Sequence, residues 1–218
     1  TAHPLVRQAR LQGNPVHDDL DDAARMFLTD KTSSYVTVAA NGTGDIFHAA
    51  VGDLDPTFIQ ACEKLDQACC VPVAKKADFA VISTGGHRTD TQLYQSTKAL
   101  FNVVNSLKYG GKILFVAGCS QGIGNQTFGD TLKQYRQTPE QLGKILCHTF
   151  NMPAYVAFRV MDILDRFDVT LCSDLDETTT IGLGFSYTDD LVQYINELHG
   201  KGFVIPFAEN ILPVLNQT

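Results

Sequence analysis

Residues 78–118 decide the fold, and they read DFAVISTGGHRTDTQLYQSTKALFNVVNSLKYGGKILFVAG. The apolar run from Asp78 to Ser83 is typical of a buried strand and leads into a glycine pair. A second such run, Lys112 to Ala117, ends at Gly118, and helical spacing fills residues 90–107 between the two. A strand, a helix and another strand in this order predict neighbouring parallel strands joined by a helix.

The same alternation continues toward the C-terminus. Helical patterns cover residues 127–135, 139–149, 153–167 and 188–199, and strand patterns cover residues 169–172 and 203–207. Crossovers of this length favour a mainly parallel sheet with helices on both faces, which is an α/β fold.

The N-terminal part has a different order of elements. Asn14 and Pro15 indicate the start of a helix that runs to Leu28. Residues 35–40 and 45–51 flank Asn41-Gly42-Thr43-Gly44 and predict a β-hairpin, and residues 55–68 predict another helix. We therefore expect an N-terminal helix and hairpin extension over residues 1–75, followed by an α/β domain over residues 76–218, packed as one compact unit.

Composition excludes several classes of function. The formal net charge of −7 disfavours nucleic-acid binding, because phosphates attract basic surfaces. No apolar run approaches the roughly 20 residues that a membrane span requires. The six cysteines form no CxxC pair, and the six histidines are scattered. We therefore expect a cytoplasmic protein with no metal site in this chain, and we interpret His3 as an exposed terminal residue.

The predicted helix over residues 90–107 has two distinct faces. Thr89 to Gln92 fits a capping box, so this helix is expected to begin just after Thr89, near the carboxyl end of a strand where free backbone N–H groups bind ligands. Tyr94 lies at the border between an apolar stripe (Leu93, Thr97, Leu100, Phe101, Val104 and Leu107) and a polar face (Thr91, Gln95, Lys98, Asn102 and Asn105). Spacing alone leaves two interpretations of the polar face: a solvated surface, or a carboxylate site built on Gln95 and Lys98.

The pattern Gly85-Gly86-x-x-x-Asp90-x-x-x-Tyr94-Gln95-x-x-Lys98 resembles a stretch of the lactate racemase family, whose members depend on a nickel-pincer nucleotide. Further agreement in the same order covers nearly the whole chain, at Gly13 to His17, Val51 to Asp53, Gly110 to Ile113, Val116 to Gly118 and Cys172 to Asp174.

The resemblance implies specific roles. Tyr94, Gln95 and Lys98 are expected to hold a 2-hydroxyacid substrate, beside a cleft lined by Gly85, Gly86, His87 and Gly118. Tyr155 lies roughly where the family places a cleft-facing Trp. His87 and Arg88 replace an aromatic-Pro pair of the family, so Arg88 is either an ordinary surface charge or a contact for an additional acidic group on the substrate.

The resemblance also implies what the chain lacks. The family's nickel ligands, its cofactor-attaching lysine and its acid/base histidines belong to a preceding domain. We therefore expect this chain to be the C-terminal portion of a racemase or epimerase, inactive alone, with its own N-terminal catalytic domain as partner. The oligomeric state is left open.

Two other functions are compatible with some of the same residues. Gly118 to Gly124 is similar to the glycine turn of short-chain dehydrogenases, and Tyr94 with Lys98 is similar to their catalytic pair, although the order along the chain is reversed. Within that loop, Cys119 is interpreted as a small residue that fits rather than a reactive thiol. The second alternative is a non-catalytic binding domain whose polar helix face contacts a partner protein.

Overall fold

The structure, a computed structural model, describes residues 5–6, 10–41 and 43–216, and for His87 and Arg88 it describes the backbone. His3 and the turn residue Gly42 lie outside the described residues. Two compact units are present, unit 1 over residues 1–68 and unit 2 over residues 69–218. This division falls a few residues before the predicted boundary at residues 75 and 76.

Unit 1 contains the predicted helix and hairpin. Helix α1 (Pro15–Leu28) begins where the Asn14 side chain accepts a hydrogen bond from the Val16 N–H. Strands β1 (Tyr35–Ala40) and β2 (Ile46–Gly52) pair antiparallel, and helix α2 (Leu54–Cys69) follows.

Unit 2 is built around one five-stranded sheet. Its strands are β4 (Ala77–Ser83), β5 (Leu107–Val116), β6 (Asp168–Cys172), β7 (Ser186–Tyr187) and β8 (Gly202–Ile205). They lie in the order β7-β6-β5-β4-β8, and every neighbouring pair is parallel. Successive residues Ile113, Leu114 and Phe115 of the central strand are all fully buried, because helices flank the sheet. The predicted α/β class is confirmed.

The helices of unit 2 follow the sequence pattern closely in the middle of the chain. Helices α6 (Gln126–Tyr135), α7 (Pro139–His148) and α8 (Met152–Arg166) agree with the predicted spans to within one residue at most ends. Downstream, a short helix α9 (Glu177–Leu183) and strand β7 were not predicted, and α10 (Leu191–Asn196) is shorter than expected. A separate parallel pair, β3 (Cys70–Val73) with β9 (Leu212–Leu215), was also missed. Among the described residues, no helix is long and apolar enough to cross a bilayer.

The prediction of one helix over residues 90–107 was wrong. The segment forms α3 (His87–Asp90), α4 (Leu93–Ser96) and α5 (Lys98–Val103), followed by a 3-10 turn (Val104–Ser106). The break lies at Gln92, whose backbone is extended, so the predicted capping box does not form. Thr97 keeps helical dihedral angles, so the chain stays helical from Leu93 onward.

The glycine pair Gly110-Gly111, just after the end of the predicted helix, lies inside β5. Ala77 pairs with Leu107 and Phe79 with Lys112, so β5 contains extra residues opposite β4 and forms a bulge there. Gly110 has a φ of 73°, which a residue with a side chain adopts only at a cost in free energy.

Asn102 was placed on the polar face of the predicted helix, but it is buried. Its side-chain amide donates hydrogen bonds of 2.8 Å to the carbonyl oxygens of Ala208 and Glu209. A buried carbonyl group needs such a donor, so Asn102 fastens the segment before β9 to the helix.

We expect Asn102→Ala to lower the free energy of unfolding by about 2 kcal/mol, because two carbonyl groups lose their donor in a buried place. Asn105→Ala is the matched control, since Asn105 is exposed in the same helical segment, and its effect should stay within about 0.5 kcal/mol. Urea denaturation of both variants measures the difference. Equal effects of the two substitutions would show that the Asn102 amide does not stabilise the fold.

Candidate substrate-binding site

The carboxyl ends of β4, β5 and β6 meet at one edge of the sheet, because the three strands are parallel. The loop after β5 is tied to the loop after β6, since the Asp174 N–H donates to the Gly118 carbonyl over 2.9 Å and the Ala117 N–H donates to that of Cys172 over 3.1 Å. The structure places Gly85, Gly86 and Gly118 at this edge, as predicted for residues lining a cleft. Their role in a cleft stays a prediction.

Asp90 joins this edge to the helical segment that follows β4. Its Oδ1 accepts hydrogen bonds from the Thr84 hydroxyl (2.9 Å) and from the Gly118 N–H (2.8 Å), and its carbonyl accepts one from the Cys119 N–H (2.6 Å). Thr84 and Cys119 are buried, so these bonds are largely withdrawn from water. We call Asp90, Thr84, Gly118 and Cys119 the Asp90 junction.

A side chain at position 118 would crowd the junction. A Cβ there would lie 3.0 Å from Asp90 Oδ2, closer than ordinary van der Waals contact. Sequence reasoning quoted Asp90 in the family pattern but gave it no more than a capping role. The sequence did contain a signal for this role, since Asp90 is the only carboxylate between β4 and β5 and each of these strands leads into a glycine.

The loop from Cys119 to Gly124 holds the start of α4. The Leu93 N–H donates to the Gly122 carbonyl (3.1 Å) and the Tyr94 N–H donates to the Ile123 carbonyl (3.0 Å). The chain's own loop therefore occupies these two donors. Free N–H groups had been expected just after Thr89, where the Asp90 N–H instead donates to the Gly86 carbonyl over 3.2 Å. The loop therefore sets the position of the residues that follow Gln92.

Three backbone N–H groups of the same loop are occupied by carbonyl groups of the chain itself. The amides of Cys119, Gln121 and Gly122 donate to the carbonyl oxygens of Asp90, Thr91 and Cys119. In dinucleotide-binding turns such amides face the pyrophosphate. These bonds disfavour the alternative of a short-chain dehydrogenase.

The structure brings Tyr94, Gln95 and Lys98 onto one helical stretch, and their environments differ. The Tyr94 ring is half-buried and packs edge-on against Phe128, with 5.4 Å between the ring centroids. Gln95 is half-buried and Lys98 is exposed, and neither side chain has a hydrogen-bond partner among the described residues. Gln95 and Lys98 are thus available to a ligand, whereas Tyr94 has its ring against the core.

Tyr155 lies in the first turn of α8, and its neighbour Arg159 connects it to the helix of Lys98. The guanidinium carbon of Arg159 lies 4.9 Å from the ring centroid of Phe101, one turn after Lys98, and its Nη1 donates to the Tyr155 hydroxyl over 3.4 Å. Arg159 has no carboxylate within ion-pair distance in the described part of the chain. Sequence reasoning missed Arg159, although its spacing of four residues from Tyr155 on a helix was a usable signal.

The remaining predicted contact residues are His87 and Arg88. Their backbone forms the first residues of α3. Their side chains lie outside what the structure describes, so the contact predicted for Arg88 stays a prediction.

Cys119 is the buried thiol of the loop, with a φ of 53°. Burial raises the pKa of the Cys119 thiol to about 12; a hydrogen bond with Ser96 opposes this rise, and the Asp90 and Asp174 carboxylates add to it. The thiol is therefore neutral near pH 7, and a neutral thiol is a poor nucleophile. This supports the interpretation of Cys119 as a small residue that fits the turn.

A model of the family described as "Lactate racemase C-terminal domain" matches residues 73–197, which is more than half of the chain. The chain belongs to the lactate racemase C-terminal domain family. The matched range includes the Asp90 junction, the Tyr94-Gln95-x-x-Lys98 stretch and both Tyr155 and Arg159.

Two curated lactate racemases resemble about two thirds of the chain. Those of Thermoanaerobacterium thermosaccharolyticum and Lactiplantibacillus plantarum are each 28% identical, over 144 and 143 residues, which is 66% of this chain and 33% of theirs. The aligned part thus spans about a third of the length of these relatives.

Two solved structures share the fold. The lactate racemase apoprotein from Thermoanaerobacterium thermosaccharolyticum superposes with a TM-score of 0.82 at 23% identity, covering 99% of this chain and 52% of that one. A Thermotoga maritima protein superposes with a TM-score of 0.65 at 14% identity, covering 93% of this chain and 54% of that one.

In this lactate racemase C-terminal domain, Asp90→Ala should lower the free energy of unfolding by about 1 to 3 kcal/mol, because the Thr84 hydroxyl and the Gly118 N–H lose their acceptor. Asp90→Asn keeps one acceptor oxygen and should cost less. Asp165→Ala, at an exposed position on α8, is the control and should change stability by less than about 0.5 kcal/mol. Urea denaturation gives all three values. An Asp90→Ala protein as stable as the control would refute the junction's structural role.

Proposed function

We propose that this chain is the substrate-orienting part of an enzyme that racemises or epimerises a 2-hydroxyacid. Membership of the lactate racemase C-terminal domain family supports an isomerase as the whole protein. The family resemblance implies that a nickel-pincer nucleotide, if bound in the N-terminal domain, would supply hydride-transfer chemistry at C2 of the acid. We place the whole enzyme in the cytoplasm.

One observation carries the proposal. Gln95 and Lys98 lie three residues apart on a helical stretch near the carboxyl edge of the sheet, and no described residue is hydrogen-bonded to either side chain. An ammonium and an amide N–H₂ at this spacing provide donors for the two oxygens of a carboxylate. Lys98 supplies the charge and Gln95 fixes the plane of the acid.

Racemisation makes such anchoring useful. C2 becomes planar during the reaction and must be attacked from either face, so the rest of the acid has to stay in place meanwhile. Holding the reacting groups in position lowers the barrier steeply, and a carboxylate is the part of a 2-hydroxyacid that does not react. A fixed carboxylate therefore allows both enantiomers to use one site.

Arg159 and Tyr155 extend the same surface. Arg159 adds a second cation without a carboxylate partner in the described part of the chain. It packs against Phe101, which lies one helical turn after Lys98. Two cations in one region create a positive local potential, although the chain as a whole has a net charge of −7. That potential attracts an organic acid. Through its hydrogen bond to Arg159, Tyr155 is oriented toward the same region.

The described residues of this chain do not offer a site for the nickel group itself. Among the described residues, no group of three His, Cys, Asp or Glu side chains is placed to bind a metal ion. The family resemblance implies that its ligands belong to the N-terminal domain of the longer protein, and we expect this chain alone to be inactive. Its own contribution is to bind and orient the acid.

Lys98→Ala in the full-length enzyme should lower kcat/KM for 2-hydroxyacid racemisation about a hundredfold or more, because a charge-assisted hydrogen bond to the substrate is lost. The melting temperature should not change, since Lys98 is exposed. Lys133→Ala is the matched control: Lys133 is exposed in the last turn of α6, which runs away from the carboxyl edge. Racemisation is followed by circular dichroism of the acid. Near-normal turnover in Lys98→Ala would overturn the proposal.

A further inference from the structure

The β1–β2 hairpin has one face made entirely of apolar side chains. Thr37 points toward α2, because its hydroxyl donates to the Thr57 carbonyl over 3.3 Å. Strand residues alternate between faces, so Val36 and Val38 lie on the opposite face, where they pair with Val51 and Ala49. Ala40, Ile46 and Phe47 continue this surface past an irregularity in the pairing. We call these seven residues the hairpin face.

The hairpin face is exposed in this chain. Val36 is 68% exposed and Val51 is 72% exposed, and the other five members are exposed as well. A two-stranded antiparallel sheet with one face in water normally alternates apolar with polar residues. A contiguous apolar face instead indicates a surface that another layer of protein covers.

Unit 1 also lacks a core of its own. Ala39 is the only buried apolar side chain among the described residues of unit 1, and α1 has no buried residue at all. Apolar side chains of α1 are exposed instead, among them Leu20, Met26 and Phe27. α1 contacts α2 through an ion pair between Arg25 and Asp55 (2.8 Å) and through the stacked rings of His17 and Phe58, whose centroids are 5.7 Å apart. So little apolar burial does not offset the conformational entropy lost in folding some 60 residues.

The lengths of the relatives indicate what covers this face. The chain matches the lactate racemase apoprotein along 99% of itself and only 52% of that protein, so about half of that protein has no counterpart here. The family model begins at residue 73 and leaves unit 1 outside the C-terminal domain. The half of the relative that has no counterpart here is therefore a candidate to cover the hairpin face, which lies in the unit outside the C-terminal domain.

We propose that the hairpin face packs against the N-terminal half of the longer protein, and that unit 1 completes the fold of that half rather than serving as a connector. The two strands are short and their outer edges are unpaired in the described chain, so the hairpin can also extend a sheet of the N-terminal half. The inference rests on the proposed function only in that a catalytic half is part of the same protein.

Cysteine labelling in the full-length protein tests this packing. A thiol-specific maleimide should modify Val51→Cys at least about tenfold more slowly in the native protein than in urea, because the partner layer covers it. Val192→Cys is the control, since Val192 is 71% exposed on α10 and should react rapidly in both conditions. Peptide mass spectrometry distinguishes the introduced thiol from the six natural ones. Equal native and denatured rates for Val51→Cys would overturn the proposal.

A second pair of variants separates the possible occupants. In the full-length protein, Val51→Asp should lower the melting temperature by about 5 °C or more, and Val192→Asp by no more than about 1 °C, because only the former buries a charge.

If protection of Val51→Cys disappears on dilution together with dissociation of a dimer, a second copy covers the face and the proposal is wrong. The proposal is also wrong if deletion of the N-terminal half leaves the protection intact. Racemase activity is not measured in either experiment, so a failure of the proposed function would appear separately.

Discussion

One oxygen of the Asp90 carboxylate accepts hydrogen bonds from residues at the ends of two adjacent strands, Thr84 after β4 and Gly118 after β5. The carbonyl of the same residue holds the Cys119 N–H. These bonds fix the loop after β5, and that loop accepts the first N–H groups of α4 at Gly122 and Ile123. The position of Gln95 and Lys98 therefore depends on a junction that neither residue touches. A network of buried hydrogen bonds can fix the position of distant residues in this way, because each bond restricts the geometry of the next.

In the function that we propose, the chain presents one surface of a site whose chemistry lies in the N-terminal domain. It offers two cations without a carboxylate partner and an amide without a hydrogen-bond partner in the described chain, and burial keeps its Cys119 thiol neutral, which favours binding rather than bond-making as its task. The division into two units fits this arrangement. Unit 2 carries the family's C-terminal domain with its own core, whereas unit 1 has an apolar hairpin face and almost no core.

Periodicity predicted those parts of the fold in which one element packs on one neighbour. Strands β4 and β5 and helices α6 to α8 appear where their apolar spacing indicated, because such spacing reflects which residues of an element are buried. The break at Gln92 could not be found in this way, since it is caused by a loop some 30 residues downstream that bonds to Leu93 and Tyr94. Asn102 was misplaced for a similar reason, because its partners at Ala208 and Glu209 are more than 100 residues away. Strands β3 and β9 each contain a proline and only four residues, so their pattern was too short to recognise.

In the candidate site, the family resemblance pointed to the helix of Tyr94, Gln95 and Lys98, while the contacts that hold it required coordinates. The most direct measurement is a crystal structure of the full-length protein with a non-reacting analogue of a 2-hydroxyacid bound. The account predicts the carboxylate of the analogue within about 3 Å of Lys98 Nζ and of the Gln95 amide nitrogen. An analogue bound elsewhere, with Lys98 and Gln95 in bulk water, would contradict it.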